Sequence, residues 1–114
     1  MGVQVEREEA GDAVVVAVRG DLDLDGGEDL RAALRAAIDE KPGRRIVVDL
    51  EGVDFMDSAG LGVLLGGRER ARNGDGDLVV VATGRSVLRV LTLTGLDRVF
   101  EIFSGRREAL RKPS

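Results

Sequence analysis

Apolar positions change their spacing several times along the chain, and each change marks an element. Val3 and Val5 alternate with polar neighbours as far as Arg7, the period-two pattern of an edge strand. Ala10-Gly11-Asp12 is a turn and Ala13 to Arg19 a second strand, so the chain opens as a hairpin. A helix follows from about Glu28 to Asp39, with Leu30, Leu34 and Ile38 on one face, and Lys41-Pro42-Gly43 ends it. Ile46-Val47-Val48-Asp49-Leu50 is a short run rich in β-branched residues, as expected of a strand buried on both faces. The period then lengthens. Leu61, Leu64, Leu65 and Arg68 recur at i, i+3, i+4 and i+7, a helical stripe that Asn73-Gly74 stops. Leu78 to Ala82 reads as a further apolar strand, Val87 to Thr94 as a helix closed by Gly95, Val99 to Phe103 as a last short strand, and Arg106 to Arg111 as a terminal helix.

The predicted order is β-β-α-β-α-β-α-β-α, a single α/β domain over residues 1–114. Such an order argues for a mainly parallel sheet with right-handed crossovers and an antiparallel strand at one edge. In open sheets of this kind ligands collect beyond the carboxyl ends of the strands. Two groups of residues fall there. One is Asp57-Ser58-Ala59-Gly60-Leu61-Gly62, at the junction of the third strand and its helix, where Asp57 or Ser58 can accept hydrogen bonds from the free N–H groups of the first turn. The other is Asp21, Asp23 and Asp25 after the second strand, joining Asp54 and Asp57 on one acidic rim. The plain structural account makes these solvated loop carboxylates, with Asp25 capping the first helix. Gly62 and Gly66 share a helical face near Ser58, with Ala59 and Val63 alongside; they form either a smooth patch for a partner or a close contact of the helix with its own sheet.

Composition removes most catalytic chemistry. Among 114 residues there is no histidine and no cysteine, which excludes the imidazole base, the thiolate nucleophile and the usual N and S metal ligands. No Gly-Lys-Ser or Gly-Lys-Thr phosphate loop occurs. The expectation is a non-enzymatic domain with no cofactor and no metal. A net charge of −4 and only three aromatic residues, all Phe, argue against direct nucleic-acid binding. The longest apolar run, Ala13 to Val18, is far short of a membrane span, and the acidic Val3 to Glu9 stretch has no signal-peptide character. These features fit a cytoplasmic protein.

Val18-Arg19-Gly20-Asp21-Leu22-Asp23, the strand Ile46 to Leu50 and above all Phe55-Met56-Asp57-Ser58-Ala59-Gly60-Leu61-Gly62 resemble the STAS domain, and more narrowly the stand-alone anti-sigma-factor antagonists of bacteria. The resemblance covers nearly the whole chain. It implies strands in roughly sequential order with helices mainly on one face. It also implies a partner switch: an anti-sigma factor that is a serine kinase binds the unmodified protein and phosphorylates the residue matching Ser58, the modified protein lets go, and a PP2C-type phosphatase restores it. The residue matching Ser58 is the one role carried over; with the acidic rim and the smooth helix face beside it, the expected partner-binding positions are Asp21, Asp23, Asp57, Ser58, Ala59, Gly60, Gly62 and Val63. The family often has a second hydroxyl after the acceptor; here that position is Ala59, so Ser58 must carry any switch alone. Two other readings compete. One is a STAS scaffold that binds without being switched. The other is a receiver-like protein with Asp49 or Asp57 as a phosphate acceptor, which suits a chain poorly when its only lysines are Lys41 and Lys112.

Overall fold

A computed structural model describes residues 3–111. Strands β1 (Val3–Ala10) and β2 (Ala13–Leu22) form the opening hairpin, with Gly11 at φ 64° in its turn. There follow α1 (Leu24–Glu40), β3 (Arg45–Met56), α2 (Ser58–Asn73), β4 (Asp77–Val81), α3 (Arg85–Leu93), a 3-10 turn at Leu96–Arg98, β5 (Ile102–Phe103) and α4 (Arg106–Arg111). The sheet order is β1-β2-β3-β4-β5. Among the described residues only the β1–β2 pair is antiparallel. The expected architecture is therefore present, and sequential strand order fixes β2 and β3 as central neighbours whose carboxyl ends lie side by side.

The two faces of the sheet are covered unequally. Val14, Val16, Val18, Ile46, Val48, Leu50, Leu78 and Val80 face Leu30, Leu34, Leu61, Leu64, Val87 and Leu91 from α1, α2 and α3, and this is the main core. Burying each such side chain is worth about 1.5–3 kcal/mol. On the opposite face Val15, Val47, Val79 and Val81 pack against Ala109 of α4, with Phe103 and Leu110 beside them. That second, smaller core explains why β2, β3 and β4 are apolar on both faces. Arg45 fastens α4 there: its Nε donates to the Ala109 carbonyl (2.8 Å) and its guanidinium lies 5.7 Å from the Phe103 ring centre. Arg106 donates to Asp49, which is only 7 % exposed and also accepts from the Glu51 N–H.

Element boundaries depart from expectation in several places, among them β2, which runs on past Arg19 to Leu22. Helix α1 starts at Leu24 rather than Glu28, so Asp23 is its cap and Asp25 lies in its first turn. Strand β3 continues past Leu50 to Met56, its pairing with β2 surviving two register shifts, one beside Gly20 at φ 106°. Strand β5 is shorter than Val99 to Phe103, because Leu96–Arg98 forms a 3-10 turn that turns Phe100 into the main core. Helix α3 begins at Arg85, two residues early. Among the described residues no helix is long and apolar enough to cross a membrane.

Candidate functional site

Two helices begin side by side on the rim, and each is capped by an aspartate. Asp57, in extended backbone, accepts at Oδ1 from the N–H groups of Ala59 (2.9 Å) and Gly60 (3.3 Å). Asp23 does the same for α1, accepting from Gly26 N–H (3.0 Å). The Asp57 N–H donates to the Leu22 carbonyl (3.3 Å), which ties the mouth of α2 to the end of β2. Of the two candidates for the α2 cap, Asp57 holds the position and Ser58 is the first helical residue.

Glycine allows this crowding. A Cβ on Gly60 would stand 2.7 Å from the Leu22 carbonyl oxygen and 3.0 Å from Met56 Cγ, so only glycine lets α2 start so close to the sheet. Gly26 meets the same limit in α1, 2.5 Å from the Asp21 carbonyl oxygen. These contacts explain why two glycines sit inside the first turn of α1, where intrinsic propensity disfavours them. Gly27 lies against Val63, joining the two helices just behind their caps.

The predicted site residues are brought together, though not all at the surface. Ser58 is exposed, and its hydroxyl makes no hydrogen bond to another described residue. Asp21, Asp23, Asp57 and Ala59 are half-buried. Gly62, one turn beyond Ser58, is exposed with open space where a side chain would be, and so is Gly66. Gly60 and Val63 are buried: they seat α2 rather than present themselves to a partner. The glycines of α2 thus divide. Gly60 and Gly67 pack closely on core side chains, while Gly62 and Gly66 have open space; Gly62, Gly66 and Gly67 line an open groove of about 420 Å³ with Arg31, Arg35 and Arg70.

Among the described residues the carboxylates of the rim are unpaired. Asp21, Asp23, Asp25, Asp54 and Asp57 form no ion pair with any described residue. Two of them serve as caps, where the helix macrodipole favours negative charge. Among the described residues no group of three carboxylates is arranged to hold a metal ion. Asp49, the other candidate acceptor, lies under α4 with Arg106 on one oxygen and the Glu51 N–H on the other. A buried, doubly bonded carboxylate away from the rim is a poor phosphate acceptor, which counts against the receiver-like reading.

Sequence reasoning missed two rim residues. Leu24 is 69 % exposed and Phe55 is 51 % exposed. Leu24 was masked by the alternating carboxylates around it and Phe55 by the apolar Met56 beside it. The available signal was that Leu24 follows the cap Asp23 directly and Phe55 precedes the cap Asp57 by two residues.

Comparison with known proteins agrees with this geometry. The chain is 31% identical over 110 residues to an anti-sigma F factor antagonist of Paenibacillus polymyxa, an alignment covering 96% of this chain and 94% of that one. Its fold superposes on an anti-sigma factor antagonist from Mycobacterium paratuberculosis with a TM-score of 0.86 at 31% identity, over 95% of this chain and 91% of that one. The anti-sigma factor antagonist SpoIIAA in its unphosphorylated form gives 0.80 at 26% identity (94% and 93% covered), and SpoIIAA in its phosphorylated form gives 0.72 at 25% (94% and 96%). The STAS domain model matches residues 4–109, and the chain belongs to the STAS domain family.

Proposed function

We propose that this protein is an anti-sigma factor antagonist, acting by binding rather than by catalysis, and that Ser58 is its switch. In this reading a cytoplasmic anti-sigma factor with serine kinase activity docks on the rim formed by Asp21, Asp23, Asp57, Ser58, Ala59 and Gly62. It transfers the γ-phosphoryl group of ATP to the Ser58 hydroxyl, with ADP leaving and the hydroxyl proton passing to a base or to solvent. The modified protein then dissociates, and a PP2C-type phosphatase hydrolyses the ester to free it for another round. The observation that carries this reading is the Ser58 hydroxyl: exposed, free of hydrogen bonds to described residues, and relieved of capping by Asp57.

Physical chemistry supports a local switch. A phosphoserine adds about −1.5 to −2 charges at pH 7. At the first turn of α2 the fold tolerates such an anion, since free N–H groups and the macrodipole face it. SpoIIAA retains this fold in its phosphorylated form. The docking surface changes far more. A small hydroxyl becomes a hydrated dianion beside carboxylates with no counter-charge, and burying it unpaired costs several kcal/mol, where each 1.4 kcal/mol is tenfold in affinity.

Affinity for the anti-sigma factor, measured with and without ATP, tests the proposal. Ser58→Ala should fold as the native chain does, because Asp57 holds the cap, and should remain bound in ATP. Ser58→Asp should bind more weakly in both conditions. Equal binding by native, Ala and Asp forms in both conditions would make the domain a scaffold without a switch.

A further inference from the structure

Five large apolar side chains among the described residues are exposed: Leu24, Phe55, Leu65, Leu93 and Val99. Exposed apolar residues scattered singly are ordinary. Leu24 and Phe55 each lie within two residues of a helix cap on the rim. Leu24 is the first residue of α1, directly after the cap Asp23. Phe55 is paired across the sheet with Asp21 and precedes the cap Asp57 by two residues. The neighbouring Leu22–Met56 pair is buried and is tied to α2 through the Asp57 N–H, so a buried, hydrogen-bonded segment lies beside each exposed residue. Around them stand Asp21, Asp23, Asp25, Asp54 and Asp57, none ion-paired with a described residue.

We infer that Leu24 and Phe55 are the apolar anchors of the docking face, and that the partner surface they fit is an apolar pocket rimmed by Arg or Lys. The inference rests on the reading of Ser58 above and specifies the surface that reading requires. Interfaces draw most of their affinity from a few large anchors near the centre, with charged groups at the rim setting association rate and orientation. Here the anchors belong to two different elements held by buried neighbours, so little ordering is needed on binding. The uncompensated carboxylates specify the sign of the partner. A second copy of this chain would bring like charge to like charge, which disfavours self-association through this face.

The arrangement also deepens the account of release. Anchors gain affinity only when water leaves the surface around them. A phosphate on Ser58 keeps its hydration shell on the same rim and holds the partner off Leu24 and Phe55. The loss would appear as faster dissociation rather than altered folding.

The experiment measures association and dissociation rates by surface plasmon resonance. Its probe is the anti-sigma factor of the same host, recovered in complex with the Ser58→Ala chain, identified by mass spectrometry and expressed pure. Phe55→Ser and Leu24→Ser are compared with the native chain, with Phe55→Leu as the conservative control and thermal melts to establish folding. Each Ser variant should dissociate about tenfold faster or more, with association changed by less than about twofold. Phe55→Leu should restore most of the native residence time. Asp21→Asn combined with Asp54→Asn should instead slow association and flatten its dependence on ionic strength. If Ser58→Asp binds weakly while Phe55→Ser and Leu24→Ser match the native rates, the anchors are refuted and the switch stands. If the native chain does not bind the probe, or binds it regardless of Ser58, the switch itself fails and the anchors fall with it. A concentration-dependent dimer in sedimentation that Phe55→Ser abolishes would also overturn the assignment, giving the anchors to a second copy.

Discussion

The two ends of the sheet use the same kinds of charged residue in opposite ways. At the end where α1 returns to β3, charges are widely paired, although Asp12, Lys41 and Asp75 form no ion pair with a described residue. Arg44, its side chain 6 % exposed, donates to Glu9 (2.7 Å) and to the Ala37 carbonyl in the last turn of α1 (3.0 Å). Arg7 reaches Glu9 and Glu40, and Arg70 forms a two-bonded pair with Asp39. At the carboxyl end of the strands, five aspartates surround Ser58 without a single ion pair among the described residues. The first end uses charge to hold elements in place. The second leaves five carboxylates without an ion pair to any described residue, beside two exposed apolar side chains.

The contrast breaks most visibly at Arg44. Helix α1 has no basic residue in its own last turn, so Arg44 supplies both the cation at that helix end and the donor to Ala37. Arg44→Ala removes a buried side chain and leaves that carbonyl without its donor. We expect a loss of about 2–4 kcal/mol in urea unfolding, with affinity for the anti-sigma factor unchanged once the variant is folded. Weakened binding with full stability would show that the paired end belongs to the docking surface and that the two ends are not functionally distinct.

Glycine substitutions divide the rim itself into supporting and presenting parts. Gly60→Ala forces a methyl to within 3.0 Å of the Leu22 carbonyl and Met56, and should cost about 1–3 kcal/mol while displacing the start of α2. Gly62→Ala places its methyl in open space, removes an interior helical glycine, and should stabilise the chain by about 0.5–1 kcal/mol. Denaturant titration of both variants decides the matter. If Gly60→Ala is neutral, the close approach of α2 to the sheet is not what places Ser58.

These same positions show what a sequence discloses and what it withholds. Strands Ala13 to Arg19 and Leu78 to Ala82, the helix carrying Leu61 and Leu64, and the parallel pairing that ends β2 and β3 on one side were all legible. Period and element order determine them. The start of α1 was not, because Gly26 and Gly27 look like a break until Asp21 and Val63 are seen pressed against them. Nor was the continuation of β3 through Glu51-Gly52, since local polarity argues against a strand. The register shifts that carry it exist only in the pairing with β2, where a Cβ on Gly52 would lie 2.7 Å from Arg19 Cγ. The choice of Asp57 over Ser58 as cap was equally invisible, for both residues are competent caps and only the backbone angles separate them. Burial was the other missing quantity. It assigns Val63 and Gly60 to the interior and leaves Leu24 and Phe55 outside.

The smallest expected effect separates the two ends by pH. Hydrogen bonding to Arg7 holds the Glu40 carboxyl below its ordinary value, and Arg70 does the same for Asp39. A carboxyl whose folded-state pKa is depressed contributes stability that is present above its unfolded pKa and is lost as pH falls through the folded one. Acid unfolding should therefore be resisted through these pairs. Arg70→Gln, which restores Asp39 towards its ordinary value, should begin to unfold at a higher pH than the native chain. Because both partners are solvent-exposed, the difference should be slight at low salt and should vanish in high salt, where exposed pairs are screened. Circular dichroism during acid titration at two ionic strengths measures it. A shift that persists in high salt would mean that the Arg70–Asp39 pair acts through packing of α2 on α1 rather than through charge, and the ion-paired end would then owe its stability to shape.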